Sequence, residues 1–277
     1  SPAQSADPLQ LQKSVRTLAA LQDRAADGDA EAARLQSRLI SQIESDIRLT
    51  PKDVLGNPHN LRAIAMLLLS GANPNLVEAQ TLNLPMDETM RNLISGALAY
   101  ARADREGAAK LLGKVEVRHL PPSLAGRVAL VRSIIGASDN TVRAIDDLYR
   151  ARELMPGTLV EEASLRRCVA FAGKLVDKQR LHFCSARYMR RFPKSLYFAE
   201  FEEAFAGAVA QTGLGEGNEI TALLESLRRL KSRERRQLLL RLSRAALTHG
   251  RHELATRLAR EAQALALAAS VDMARSR

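Results

Sequence analysis

The 277-residue chain is 46% hydrophobic but only 4% aromatic, and it contains no tryptophan. This composition favours helices over sheets, and the longest apolar run, the seven residues 63–69, is too short to cross a membrane. The net charge of +10 is uneven, because 13 basic residues balance 13 acidic ones up to Val115, whereas 28 face 18 from Glu116 onward.

Two explanations of this charge stay open. A GC-rich genome enriches arginine and alanine together, and we prefer that explanation for the overall composition. The uneven placement of the charge leaves a second explanation open, in which the basic second half binds an acidic partner or a nucleic-acid phosphate backbone.

Apolar residues spaced three and four apart predict a long succession of helices, each with one buried face. Short polar turns such as Asp27-Gly28-Asp29 separate them, so consecutive helices are expected to run antiparallel. In chain order the clearest periods cover residues 9–26, 30–49, 61–70, 86–103, 104–112, 124–135, 159–175, 179–191, 195–211, 219–230, 233–248 and 251–268.

Capping residues predict further helix ends. Asn73, followed by Pro74, is expected to cap a short helix. Ser138 or Asp139 is expected to cap a helix that runs to Met155. Two stretches rich in turn residues or poor in periodicity are predicted to lack helix, namely 52–60 and 113–122, the second with an extended segment at 115–117.

A repeat pattern appears in the second half. Ala144, Leu148, Ala151 and Pro156 follow the spacing of the second helix of a tetratricopeptide repeat, in which small residues admit a neighbouring helix. Part of this spacing recurs at Ala255, Ala259 and Ala262.

The sequence therefore predicts an all-α fold, a series of antiparallel helical hairpins that forms a tetratricopeptide-like α-solenoid. We expect a disordered tail over residues 1–8, N-terminal hairpins over 9–115 and tetratricopeptide-like repeats over 116–277. The alternative is that residues 9–277 form one continuous solenoid and not two separate parts.

The only two cysteines lie symmetrically about a predicted turn. Cys168 precedes Val176 by eight residues and Cys184 follows it by eight, so the two lie level in an antiparallel pair. A disulfide needs Cα atoms within about 7 Å, and we predict one here. Two reduced cysteines in the core are the alternative. A metal site is not expected, because His182 lies on the other face and no fourth ligand is near.

No catalytic constellation is recognisable. The chain has no phosphate loop, dinucleotide fingerprint, nucleophile elbow or HExxH motif, so we expect no catalytic residues, cofactor or metal. Glu161 and Glu162 are adjacent, so their side chains point apart on a helix. We interpret them as acids in the first turn of a helix capped by Thr158, where negative charge suits the helix dipole. The basic run 228–236 lacks interleaved aromatic residues, and we interpret it as a solvated helix junction.

Five arginines beside the cysteine hairpin are the candidate partner-binding residues. Arginine is preferred at interfaces because its planar fork binds carboxylates and its stem packs. The equally weighted alternative is that these arginines pair with Glu161, Glu162 and the acids of 200–203 within the fold. The candidates are Arg166, Arg167, Arg187, Arg190 and Arg191.

Two stretches around this hairpin, MPGTLVEEASLRR (155–167) and RYMRRFPKSLYF (187–198), resemble the MotC family of motility proteins of rhizobial flagellar motors. VRTLAALQDRAADGDAEAARLQ (15–36) and LLLSGANP (67–74) resemble the N-terminal part of that family, so the similarity covers most of the chain. These are structural signatures and not catalytic motifs.

The resemblance implies a periplasmic, non-enzymatic protein that binds the periplasmic segment of the flagellar stator protein MotB and modulates motor rotation. Export would account for a disulfide, and the polar opening residues are expected to follow a removed signal peptide. The alternative is an intracellular tetratricopeptide-like adaptor unrelated to motility. A nucleic-acid binder is a third hypothesis, which a steep salt dependence of binding would reveal, but we expect no nucleic-acid partner.

Overall fold

A computed structural model describes the backbone of residues 9–275 and the side chains of residues 9–271. Every regular element in that range is a helix, which confirms the predicted all-α class. The tail predicted over residues 1–8 lies outside the described residues. The helices are α1 Gln10–Ala26, α2 Ala30–Leu49, α3 Lys52–Leu55, α4 Pro58–Leu68, α5 Pro74–Thr81, α6 Glu88–Ala101, α7 Arg105–Gly113, α8 Pro122–Gly136, α9 Thr141–Leu154, α10 Leu159–Lys174, α11 Lys178–Arg191, α12 Phe198–Thr212, α13 Ile220–Leu227, α14 Ser232–Thr248 and α15 His252–Arg275, with 3₁₀ turns at Val117–His119 and Gly217–Glu219.

The chain divides into two compact units, one up to Glu161 and the other from Glu162 onward. The division falls inside α10, whereas the predicted boundary after residue 115 lies within the first unit. Charge follows the two units closely: 19 basic residues face 19 acidic ones in the first, and 22 face 12 in the second. The second unit therefore carries the whole net charge of +10.

Four hairpin turns share one left-handed backbone conformation. It occurs at Gly28, Ala103, Val176 and Gly250, which have φ angles of 98°, 59°, 54° and 72°. In each turn this residue donates its amide to the carbonyl three residues back, and the next amide bonds to the carbonyl five residues back. This is the Schellman ending of a helix. The four positions lie 73 to 75 residues apart, and Gly71, with a φ of 100° and the same two hydrogen bonds, is a fifth copy of this helix ending between the first two.

The residue after the left-handed position begins the next helix. In three of these turns it is an aspartate in extended conformation whose carboxylate accepts an amide of the following helix, as preferred N-caps do. The acceptor–donor pairs are Asp29 with Ala32 at 3.0 Å, Asp104 with Gly107 at 2.9 Å and Asp177 with Arg180 at 2.9 Å.

Arginine side chains also close the carboxyl ends of neighbouring helices. Arg132 donates to the carbonyls of Leu112 and Val115 after α7, and Arg251 donates to the carbonyl of Gln211 at the end of α12 at 2.9 Å. These last carbonyls have no partner within their own helix. Part of the arginine content is thereby explained by local structure.

Small residues allow close helix contacts within each unit. A Cβ atom at Gly126 of α8 would lie 2.6 Å from the Met155 side chain, and one at Gly173 of α10 would lie 2.7 Å from the Cβ of Ala208 on α12. Two alanines of the repeat pattern, Ala144 and Ala151, are buried in the same way, since each is at most 2% exposed. The tetratricopeptide-like detail of the repeat stays a prediction.

Three local predictions were wrong. Residues 52–60 contain helix α3 and the start of α4, because Asn57 accepts the amide of His59 at 2.9 Å and Pro58 opens the helix. Asn140, and not Ser138 or Asp139, caps α9. Of the stretch 115–117, predicted as extended, only Glu116 is extended, because Val117 already begins a 3₁₀ turn.

Val176 provides a test of the recurring turn. Its β-branched side chain is 55% exposed and its φ is 54°, so it gains little from burial while occupying a conformation that costs most residues roughly 1–2 kcal/mol. We expect Val176→Gly to raise the free energy of unfolding by about 1 kcal/mol. The measurement is urea denaturation. Gly250→Val, the reverse change in the equivalent turn, should lower it, and an unchanged midpoint in both variants would contradict the argument.

Candidate functional site

The disulfide hairpin consists of α10, the turn at Val176 and α11. Cys168 and Cys184 are joined by a disulfide, with their Cα atoms 6.2 Å apart. Both cysteines are buried, as are Val169 and Leu181 on the same inward stripes. The bond therefore fixes two helices that already present apolar faces to the interior of their unit.

A buried carboxylate lies beside this hairpin. Glu162, in the first turn of α10, is fully buried and accepts hydrogen bonds from the hydroxyls of Tyr188 at 2.6 Å and Ser195 at 3.2 Å. Arg166 donates from Nε to the same carboxylate at 3.2 Å. Because a buried charge is costly unless paired and hydrogen-bonded, this group ties together α10, α11 and the segment before α12.

Aromatic rings surround the Tyr188 end of this network. The Tyr188 ring stacks on Phe201 at 4.0 Å between centroids, and Phe201 stacks on Phe205 at 5.5 Å. All three side chains are fully buried. Burial, and then the adjacent Glu162 carboxylate, raises the pKa of the Tyr188 hydroxyl well above its usual value. Tyr188 therefore stays protonated and acts as a hydrogen-bond donor.

Arg166 bridges the buried network to the surface of its unit. Its side chain is 15% exposed and pairs with both Glu162 and Glu200. The guanidinium lies over the Tyr197 ring at 5.2 Å. Burial alone would lower the pKa of Arg166, but the two carboxylates raise it. For this arginine, the structure has the internal pairing that the alternative interpretation anticipated.

The other four candidate arginines lie farther out. Arg167 and Arg187 are half-buried, whereas Arg190 and Arg191 are exposed in the last turn of α11. Positive charge at the carboxyl end of a helix is favourable because of the helix dipole. The structure thus separates Arg166, which belongs to the Glu162 network, from Arg190 and Arg191, which face solvent.

The interpretation of Glu161 and Glu162 as acids that suit the helix dipole was incomplete. Both are fully buried, and Glu161 accepts the amide of Gly157 at 2.7 Å. Thr158 does act near the helix start, since its hydroxyl accepts the amide of Val160 at 3.2 Å. One sequence signal was available, because Glu162 and Arg166 are four residues apart, the spacing of a helical ion pair.

The remaining polar clusters offer no metal site. Within residues 9–271, no group of three or more histidine, cysteine, aspartate or glutamate side chains could hold a metal ion. In the basic run, Lys231 donates its amide to Glu234 at the start of α14, and Arg228 pairs with Glu225 at 3.3 Å. Among the described helices, none is long and apolar enough to span a membrane.

The disulfide can be tested by removing both sulfurs. We expect Cys168→Ala with Cys184→Ala to lower the free energy of unfolding by roughly 3 kcal/mol in the chain-entropy model, in which a bond closing a loop of this size restricts the unfolded chain. Thermal melting with and without a reductant measures the effect. Wild-type protein in reductant should have a melting temperature close to that of the variant. Equal melting temperatures of wild type and variant, each with and without reductant, would exclude a stabilising disulfide.

The raised pKa of Tyr188 predicts a pH-dependent contribution. Because the folded state holds this proton more tightly than the unfolded chain, the stabilisation is complete below about pH 10 and declines as the pH rises above it. Tyr188→Phe should cost about 2 kcal/mol near pH 8, since a hydrogen bond to a charged group is lost. That difference should shrink near pH 11. Denaturation at both pH values, with Tyr100→Phe as control, tests this, and a constant difference would contradict it.

Comparison with known proteins identifies the family. The family described as Chemotaxis protein MotC matches residues 1–277. A curated relative from Rhizobium meliloti (strain 1021), named Chemotaxis protein MotC, is 26% identical over 273 residues, which cover 95% of this chain and 60% of the relative. No solved structure matches the chain. The resemblance predicted from residues 155–167 and 187–198 is confirmed: this chain belongs to the MotC family of chemotaxis proteins.

Proposed function

We propose that this protein is a non-enzymatic periplasmic scaffold that binds the periplasmic part of the flagellar stator protein MotB and modulates motor rotation. The observation that carries the proposal is the exposed pair Arg190 and Arg191 at the end of a disulfide-fixed hairpin, in a chain of the MotC family. Family membership supports a role in motility or chemotaxis, and the hairpin supplies a surface.

The disulfide supports a periplasmic location. Structural disulfides form and persist in oxidising compartments, whereas cytosolic thiols are kept reduced. Cys168 and Cys184 are both buried, so the bond belongs to the interior of its unit and is not an exposed redox pair. An exported protein is the setting in which such a bond forms.

The contacts of Glu162 support a scaffold over an enzyme. Its carboxylate is occupied by Tyr188, Ser195 and Arg166, and all these partners belong to the same fold. A general base needs its carboxylate within reach of a substrate proton, whereas this one is fully enclosed. The network fixes side chains in place, which is what a rigid binding surface requires.

Reversing the charge of the exposed pair tests the proposal. Arg190→Glu with Arg191→Glu should weaken binding of the purified periplasmic segment of MotB at least tenfold, because attraction to acidic residues becomes repulsion. Because both side chains are exposed at the carboxyl end of α11, the free energy of unfolding should fall by only about 1–2 kcal/mol, and the variant should stay folded. Isothermal calorimetry beside thermal melting measures both.

A matched control has the same charge change on another helix. Arg233→Glu with Arg236→Glu alters two exposed arginines of α14 and should leave the affinity near the wild-type value. Absence of wild-type binding would exclude MotB as partner. Equal weakening by both variants would show a general charge effect and remove Arg190 and Arg191 from the interface.

A further inference from the structure

The outer face of α11 combines one aromatic ring with exposed arginines. The helix contains five basic residues and no acidic one, and two of the five, Lys178 and Arg180, pair with Glu219 and Asp177 outside the helix. Phe183 is 43% exposed and is the only aromatic among the large exposed apolar side chains of residues 9–271. A chain with only ten aromatic residues therefore leaves one of them partly exposed on its basic helix.

Helical geometry brings these side chains onto one face. At about 100° per residue, Arg187 and Arg190 lie within roughly 40° of Phe183, and Arg180 lies within roughly 60°. The opposite face holds Leu181, Tyr188 and other buried side chains. The helix is about 21 Å long, so this outer face is a continuous strip with the ring near its middle.

We propose that this strip binds an acidic protein segment that carries an apolar side chain to cover Phe183. The inference rests on the proposed function, which places the binding surface on the disulfide hairpin, and it adds the chemical character of the partner. Arginine forks bind carboxylates in bidentate geometry, and an aromatic residue beside arginines is the composition of interface hot spots. Charge supplies the attraction and the ring supplies selectivity for an apolar neighbour.

Other anionic partners fit this face less well. Single-stranded nucleic acids are bound by successive stacking rings along a basic groove, whereas α11 exposes one ring. An anionic lipid surface attracts clustered cations of any arrangement, so it would bind the exposed arginines of α14 equally well. Helix α14 has five arginines, one glutamate and no aromatic residue, which makes it the natural comparison.

The test uses two labelled peptides of equal negative charge, one with glutamates and leucines at helical spacing, the other with serine replacing every leucine. Fluorescence anisotropy should show that wild-type protein prefers the leucine peptide.

Phe183→Ala should lower the affinity for the leucine peptide about tenfold, to the level of the serine peptide. Arg187→Glu with Arg190→Glu should weaken both, and the α14 variant Arg233→Glu with Arg236→Glu should weaken neither. Melting curves confirm that each variant is folded.

Several results would overturn the inference: no binding of either peptide, equal binding of both by the wild type, or equal weakening by the α11 and α14 variants. Tight binding of phosphatidylglycerol vesicles with no peptide preference would assign the face to lipid instead. The MotB segment is measured in parallel. If it fails to bind while the peptide preference persists, the proposed function is wrong and this inference stands. If the MotB segment binds and Phe183→Ala does not change its affinity, the inference is wrong and the proposed function stands.

Discussion

The satisfaction of helix ends is the constraint on which this structure depends. Each helix leaves several amides and carbonyls without a partner in the helix, and a chain of many short helices multiplies that number. Aspartate and asparagine caps satisfy the amino ends, left-handed Schellman turns close many carboxyl ends, and arginines such as Arg132 and Arg251 reach carbonyls of other helices. One such turn is used repeatedly, at Gly28, Gly71, Ala103, Val176 and Gly250.

This constraint also separates structural arginines from those available to a partner. In the first unit, basic and acidic residues balance, and Arg102 and Arg105 pair with Glu78 and Asp139. In the second unit basic residues exceed acidic ones by ten, so carboxylates there cannot pair with every cation. The whole surplus lies in this unit, whereas genome composition by itself gives no reason for an uneven placement. It is a property of the unit that contains the disulfide hairpin.

Local sequence patterns predicted most of the fold, while contacts distant in sequence produced what was missed. Helices α1, α2 and α10 follow their apolar periods, and the symmetry of Cys168 and Cys184 placed them opposite each other. Asp139 was a reasonable cap for α9, but it pairs with Arg105, 34 residues away, which leaves Asn140 to cap the helix. Likewise, the burial of Glu162 depends on hydroxyls 26 and 33 residues farther along, and periodicity contains no information about such pairings.

The candidate binding face gains its character from the opposite side of the same helix. Cys184 and Tyr188 fix the inner face of α11 through the disulfide and the Glu162 network, so the backbone that carries the outer face is held in place before a partner arrives. Ordering flexible side chains and backbone opposes association, and a surface fixed in advance avoids much of that cost. In the proposed interface, Glu162 and Arg166 act without touching the partner, because they hold the helix that presents Phe183 and Arg190. The buried polar cluster of α10 and α11 is therefore structural, and the proposed binding residues are the arginines around one ring on the outer face of α11.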